Sequence, residues 1–130
     1  MFERFFSRDT PGIVKGLTLE WQCPDCDGLN FRILGRGERR SGQYATRCRY
    51  CKAKFVVGFE PPVRPVEGED AFREKLDAED FSLEERTDLI RDFAEIAALR
   101  ADRALPKTIK EKEKALELKF DLYRRRRRRR

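Results

Sequence analysis

Cys23-Pro24-Asp25-Cys26 and Cys48-Arg49-Tyr50-Cys51 decide the fold, and between them they hold every cysteine of the 130-residue chain. Each C-x-x-C presents two thiols from one tight turn, and the 21 residues between the pairs are enough for a hairpin that brings the turns together. Four sulfurs at the corners of a tetrahedron form a closed site for one structural Zn²⁺. Other uses of the thiols fit less well. Disulfides need an oxidising compartment, and Met1-Phe2-Glu3-Arg4-Phe5-Phe6 carries charge where a secretory signal needs an unbroken apolar run. The expected location is therefore cytoplasmic, a reducing intracellular compartment, with the nucleus left open. A dithiol redox centre needs one pair at a helix start in a βαβ setting, whereas both pairs here lie in β-like sequence. The ligand set itself admits iron as well as zinc.

With β-forming sequence on both sides of Cys23, Cys26, Cys48 and Cys51, about a third of the chain resembles the four-cysteine zinc-ribbon superfamily. The resemblance implies a small antiparallel β scaffold and a metal. It names no activity, because such ribbons serve transcription factors, ribosomal proteins, nucleases and docking modules. The ribbons of transcript-cleavage elongation factors look similar but carry an adjacent Asp-Glu pair at the hairpin tip. Here Glu38 stands alone, which counts against a cleavage role.

Outward from the cysteines, Leu17, Leu19 and Trp21 alternate with Thr18, Glu20 and Gln22, the pattern of a half-buried strand. Asp27-Gly28 turns the chain, with positive φ expected at Gly28, into a second strand whose apolar face is Phe31 and Ile33. Residues 43–47 and 55–59 supply two more strands, the last with Phe55, Val57 and Phe59 on one face. Such a ribbon of three or four strands is too small to be stable without its metal. Between the central strands, Gly35-Arg36-Gly37-Glu38-Arg39-Arg40-Ser41-Gly42 reads as a mobile, basic hairpin tip, with Arg36, Arg39 and Arg40 as candidate phosphate contacts. Before the first strand, Phe2, Phe5 and Phe6 share one face of a short helix that covers the ribbon edge, and Thr10-Pro11-Gly12 breaks it.

The expected fold class is α+β: a small antiparallel β zinc ribbon followed by a helical hairpin and a poly-arginine tail. The ribbon takes residues 1–60, a proline-rich linker 61–66, an acidic and then amphipathic helical region 67–123, and the tail 124–130. Ser82-Leu83-Glu84-Glu85 reads as a capping box that opens a helix with Leu89, Ile90, Phe93, Ala97 and Ala101 at helical spacing, until Leu105-Pro106 stops it. Thr108-Ile109-Lys110-Glu111 reads as a second box, opening a helix striped by Ile109, Leu116, Phe120 and Tyr123, with Leu118 and Leu122 beside them. Two amphipathic helices make a thin core, so the stripes also suit a protein partner or self-association.

The net charge of +6 conceals opposed blocks. Residues 67–85 hold nine acids against Arg73 and Lys75, and the chain closes with Arg124, Arg125, Arg126, Arg127, Arg128, Arg129 and Arg130. Arginine forks match phosphate oxygens, so the tail and the ribbon loop together point to nucleic acid, RNA or DNA, with little sequence selectivity. The acidic segment is expected to shield the tail. A protein adaptor in a transcription, ribosomal or viral assembly is the alternative. An enzyme fits poorly: the chain has no histidine, four thiolates close the metal sphere, and no phosphate-cradling Gly-Lys-Ser/Thr motif is present. No run is long and apolar enough for a membrane span.

Overall fold

A computed structural model describes residues 8–128. The Phe2, Phe5 and Phe6 stripe and the terminal Arg129 and Arg130 lie outside the described residues, as do the side chains of Arg127 and Arg128. The chain divides into two compact units, Met1–Arg64 and Pro65–Arg130. It is a mixed α+β structure in which no described helix is long and apolar enough to cross a membrane.

The first unit contains six short strands, β1 (Arg8–Pro11), β2 (Ile13–Lys15), β3 (Thr18–Gln22), β4 (Leu29–Ile33), β5 (Gln43–Arg47) and β6 (Lys54–Gly58), with helix α1 (Arg36–Ser41) between β4 and β5. They form two three-stranded sheets, β1-β6-β5 and β2-β3-β4. All pairings are antiparallel except that of β1 with β6, which is parallel and sets Arg8 opposite Phe55. The alternation in β3 and β6 works as read: Leu19, Trp21, Phe55, Val57 and Phe59 enter one core together with Leu34, Cys23 and Cys48. Trp21 tilts against Phe55 with ring centroids 5.2 Å apart.

Four expectations for this unit need correction. The sheet is not a single antiparallel ribbon, because the stretch that includes Thr10-Pro11-Gly12 builds β1 and β2. Gly12 is there for closeness: an added Cβ would meet Val57 Cγ1 at 2.5 Å and the Glu20 carbonyl oxygen at 3.1 Å. In β4 the phase is opposite to that read from its apolar residues, for Phe31 and Ile33 face water while Asn30 is buried. Positive φ falls on Asp27 (60°), and Gly28 serves instead to let the Tyr50 ring approach, since a Cβ there would lie 2.4 Å from Tyr50 Cδ2.

The fourth correction concerns the supposed mobile tip, which is helical. The Gly35 N–H donates to Glu38 Oε1 at 2.8 Å, Gly42 closes the helix in the left-handed region at φ 77°, and Arg39 folds inward. Its Nη1 donates to the Leu34 carbonyl at 2.7 Å with the side chain 4% exposed. Two arginines are left on the surface of α1, Arg36 and Arg40.

The second unit holds α2 (Glu69–Ala78), α3 (Leu83–Ala101) and α4 (Pro106–Arg128). The Ser82 box forms as read, Ser82 Oγ accepting from the Glu85 N–H at 3.2 Å and Glu85 Oε1 from the Ser82 N–H at 3.0 Å. At the next boundary the roles differ. A turn with Arg103 at φ 55° ends α3, and Pro106 begins α4 rather than stopping α3, because its missing N–H is no loss in a first turn. Helices α3 and α4 run antiparallel, clasped by Arg100–Glu113 (2.8 Å), Lys112–Glu95 (2.9 Å) and Lys119–Asp92 (2.6 Å). Just over half of the acidic segment is a helix: α2 (Glu69–Ala78) stacks Phe72 on Phe93 at 4.5 Å and buries Leu76, while Leu118 and Leu122 of α4 face water.

Candidate metal centre

The two C-x-x-C turns are built alike. In the first, the Cys23 N–H donates to the Gly28 carbonyl and the Asp27 N–H to the Cys23 carbonyl, each at 2.9 Å. In the second, the Cys48 N–H donates to the Ala53 carbonyl at 2.9 Å and the Lys52 N–H to the Cys48 carbonyl at 3.0 Å. The residue after the second cysteine is left-handed in both, Asp27 at φ 60° and Lys52 at φ 67°. β3 and β4 carry the first turn, β5 and β6 the second, and they bring all four Sγ atoms within 4.8 Å of one another. Cys23 Sγ lies 3.7 Å from Cys51 Sγ, and Cys26 Sγ 3.5 Å from Cys48 Sγ. A tetrahedron of thiolates about 2.3 Å from zinc has edges of about 3.8 Å, so the four cysteines fit one Zn²⁺. The sulfurs are too far apart for disulfides, and all four are free.

The electrostatics of the sulfurs are compatible with a bound cation. Burial works against charge on Cys48, yet N–H groups of Cys51 and Tyr50, the Asn30 amide and Cys26 bring its thiol down to about 6. For Cys26 the Gly28 N–H favours the thiolate, but lost water and the sulfurs of Cys48, Cys23 and Cys51 push it up to about 12. Cys51 is raised too, its Ala53 N–H outweighed by desolvation and by Cys23 and Cys48. Four thiolates this close repel, and a divalent ion lets all of them ionise.

Asn30 is the residue whose role the sequence hid. Its buried amide donates to Cys48 Sγ at 3.5 Å and to the Gly28 carbonyl at 3.3 Å, while Oδ1 accepts from the Arg49 N–H at 2.8 Å. One side chain thus ties both turns together, which is why β4 turns Asn30 inward. Outside the sulfurs, Arg8 pairs with Asp25 of the first turn and lies 4.9 Å over the Phe55 ring.

No protein-family model, curated protein or solved structure matches the chain. Its functional reading therefore rests on its own residues.

Of the candidate phosphate contacts, Arg36 and Arg40 are exposed and Arg39 is buried. Helix α4 runs without a break into the arginines, where Arg125 and Arg126 are exposed and Arg126 lies 5.6 Å over the Tyr123 ring. Arg124 is half-buried, held by Asp121 and, at 3.7 Å, by Glu79 next to α2. A basic cluster that the sequence reading did not single out surrounds the second turn. Arg47 and Lys54 are cross-strand partners, both exposed, with Arg49 and Lys52 beside them and the Arg49 guanidinium 5.2 Å over the exposed Tyr50 ring. The alternating spacing of Arg47 and Arg49 was the available signal, but it was masked by the cysteine motif they straddle.

Proposed function

We propose that this is a non-enzymatic zinc protein that associates with nucleic acid, the metal holding the β unit and arginines contacting phosphates. The observation that carries the metal half is the set of four Sγ atoms within 4.8 Å. The nucleic-acid half is supported by the pairing of Arg47 with Lys54. Like charges directly opposite in an antiparallel pair are destabilising, and a phosphate oxygen between them relieves the repulsion. Tyr50, 59% exposed beside them, offers a face on which an unpaired base can stack. Arg36, Arg40 and the arginines from Arg125 onward extend the contacts, whereas Arg39 has no part in them. The Arg124–Glu79 pair supports partial shielding of the tail by the acidic segment.

Fluorescence anisotropy with labelled single-stranded RNA and duplex DNA over a salt series tests this, comparing the full chain with one ending at Tyr123 and one carrying R47E and K54E. The six tail arginines from Arg125 onward contribute a log-log slope of about −5 on duplex phosphates, and loss of the two strand charges reduces its magnitude by about 2. Absence of binding by the zinc-loaded full chain near physiological salt would overturn the reading.

A second reading, a protein adaptor, is favoured by the helical unit. Its groove of about 570 Å³ is floored by Phe72, Phe93, Ile96, Leu116 and Phe120 and rimmed by charge. If nucleic acid does not bind, that groove is where a partner should be sought.

A further inference from the structure

We propose that β4 is a self-pairing edge, through which two copies of the chain join their β2-β3-β4 sheets by antiparallel pairing about Phe31. The phase of β4 carries this. Cys23 and Gly28, and Leu17 and Leu34, are joined across the β3–β4 hairpin by N–H to carbonyl bonds, as in hydrogen-bonded pairs. These alternate along an antiparallel ladder, so the bonded pairs between them are Trp21 with Asn30 and Leu19 with Arg32. The N–H and C=O groups of Leu29, Phe31 and Ile33 therefore point to the open side of β4, where no described residue pairs with them.

The same three residues place their side chains on the outer face of the sheet, 49%, 52% and 37% exposed. Backbone donors and an apolar row thus coincide. Natural edge strands are blunted by proline, bulges or charge. The other edges here carry such devices: Asp9 and Pro11 in β1, Lys15 in the three-residue β2, and Arg47 facing Lys54 in β5. In β4 the lone charge is Arg32, which belongs to the opposite face and lies 5.9 Å from the Tyr44 ring.

Charge and shape select the second copy as occupant. The three outward residues Leu29, Phe31 and Ile33 form the same apolar row read in either direction. A two-fold axis at Phe31 sets Phe31 against Phe31 and Leu29 against Ile33, matches all three outward residues and puts Arg32 opposite Asn30. Moving the axis to Arg32 would set the two guanidinium groups against each other, which is unfavourable. Exchange of both bonds in each outward pair gives about six new backbone hydrogen bonds. The inference rests on the folded β unit and not on nucleic-acid binding.

Sedimentation equilibrium of the zinc-loaded full chain, from micromolar to millimolar, is the test, joined to residue-resolved amide exchange. Dimerisation should slow exchange at Leu29, Phe31 and Ile33 as concentration rises, leaving Asn30 and Arg32, already bonded to β3, unchanged. F31K places two ammonium groups at the axis and should weaken dimerisation roughly tenfold or more, with zinc stoichiometry unaltered because Phe31 faces away from the sulfurs. A monomer at millimolar concentration, both for the full chain and for one starting at Arg8, would overturn the proposal. So would a dimer that F31K leaves intact, or slowing of the three amides only when a different protein is added.

Discussion

The β unit and the helical unit are of similar length but solve the problem of a small core differently. In the β unit two of the four clustered cysteines, Cys23 and Cys48, are themselves core residues packed with Trp21, Leu34 and Phe55. In the helical unit the core is side chains alone, Leu76, Phe81, Leu89, Phe93, Ile96 and Leu116, with ion pairs along the α3–α4 seam. Sheets of three- to five-residue strands bury too little to persist unaided, whereas long helices form their hydrogen bonds locally and need only one apolar face covered. The difference teaches that one unit has reason to recruit an ion while the other can rest on side-chain packing alone.

The sharpest way to break the comparison is to remove the metal. Structural zinc contributes roughly 10–16 kcal/mol in small finger domains. Chelation should therefore abolish the near-ultraviolet signal of Trp21 while the helical far-ultraviolet signal survives, and equal loss of both would mean that the two units do not fold independently. Next in size is Phe93→Ala, which removes the ring stacked on Phe72 and should cost about 3–5 kcal/mol in the helical unit. Zinc stoichiometry, measured in parallel, should be unchanged.

Asn30→Ala acts on the β unit without replacing a cysteine. It strips an amide from Cys48 Sγ and leaves the Arg49 N–H without its acceptor, for about 1–3 kcal/mol and a 10–100-fold weaker zinc affinity in competition titrations. The smallest effect runs the other way. Lys52 sits at φ 67°, where a Cβ is strained, and Lys52→Gly should stabilise the zinc-loaded unit by about 0.5–1 kcal/mol. The equivalent change at Asp27 should gain less, because aspartate tolerates that region better.

What could be read from the sequence was whatever the local chain decides by itself. The cysteine spacing, the alternation of β3 and β6 and the Ser82 box are local patterns, and each has its counterpart in the structure. What could not be read depends on partners distant in sequence. Residues Arg8–Pro11 became a strand because β6 offers an edge to them, and Gly35–Gly42 became a helix because Arg39 found the Leu34 carbonyl and Glu38 the Gly35 N–H. In β4 the apolar alternation gave the wrong face, since the need to tie Asn30 to Cys48 and Arg49 overrode the burial of Phe31. The basic cluster at Arg47, Arg49, Lys52 and Lys54 is scattered in sequence and gathers only when β5 pairs with β6.

The parallel pairing of β1 with β6 also bears on the expected order of assembly. Arg8 lies opposite Phe55, so the first described strand to be synthesised has no place to dock until the last strand of its sheet exists. Closing so long a loop is entropically slow, while the β3–β4 and β5–β6 hairpins are local and can form early. The two hairpins that carry the cysteines are therefore expected to form before the N-terminal strand seats, so that β1 completes the unit rather than nucleating it.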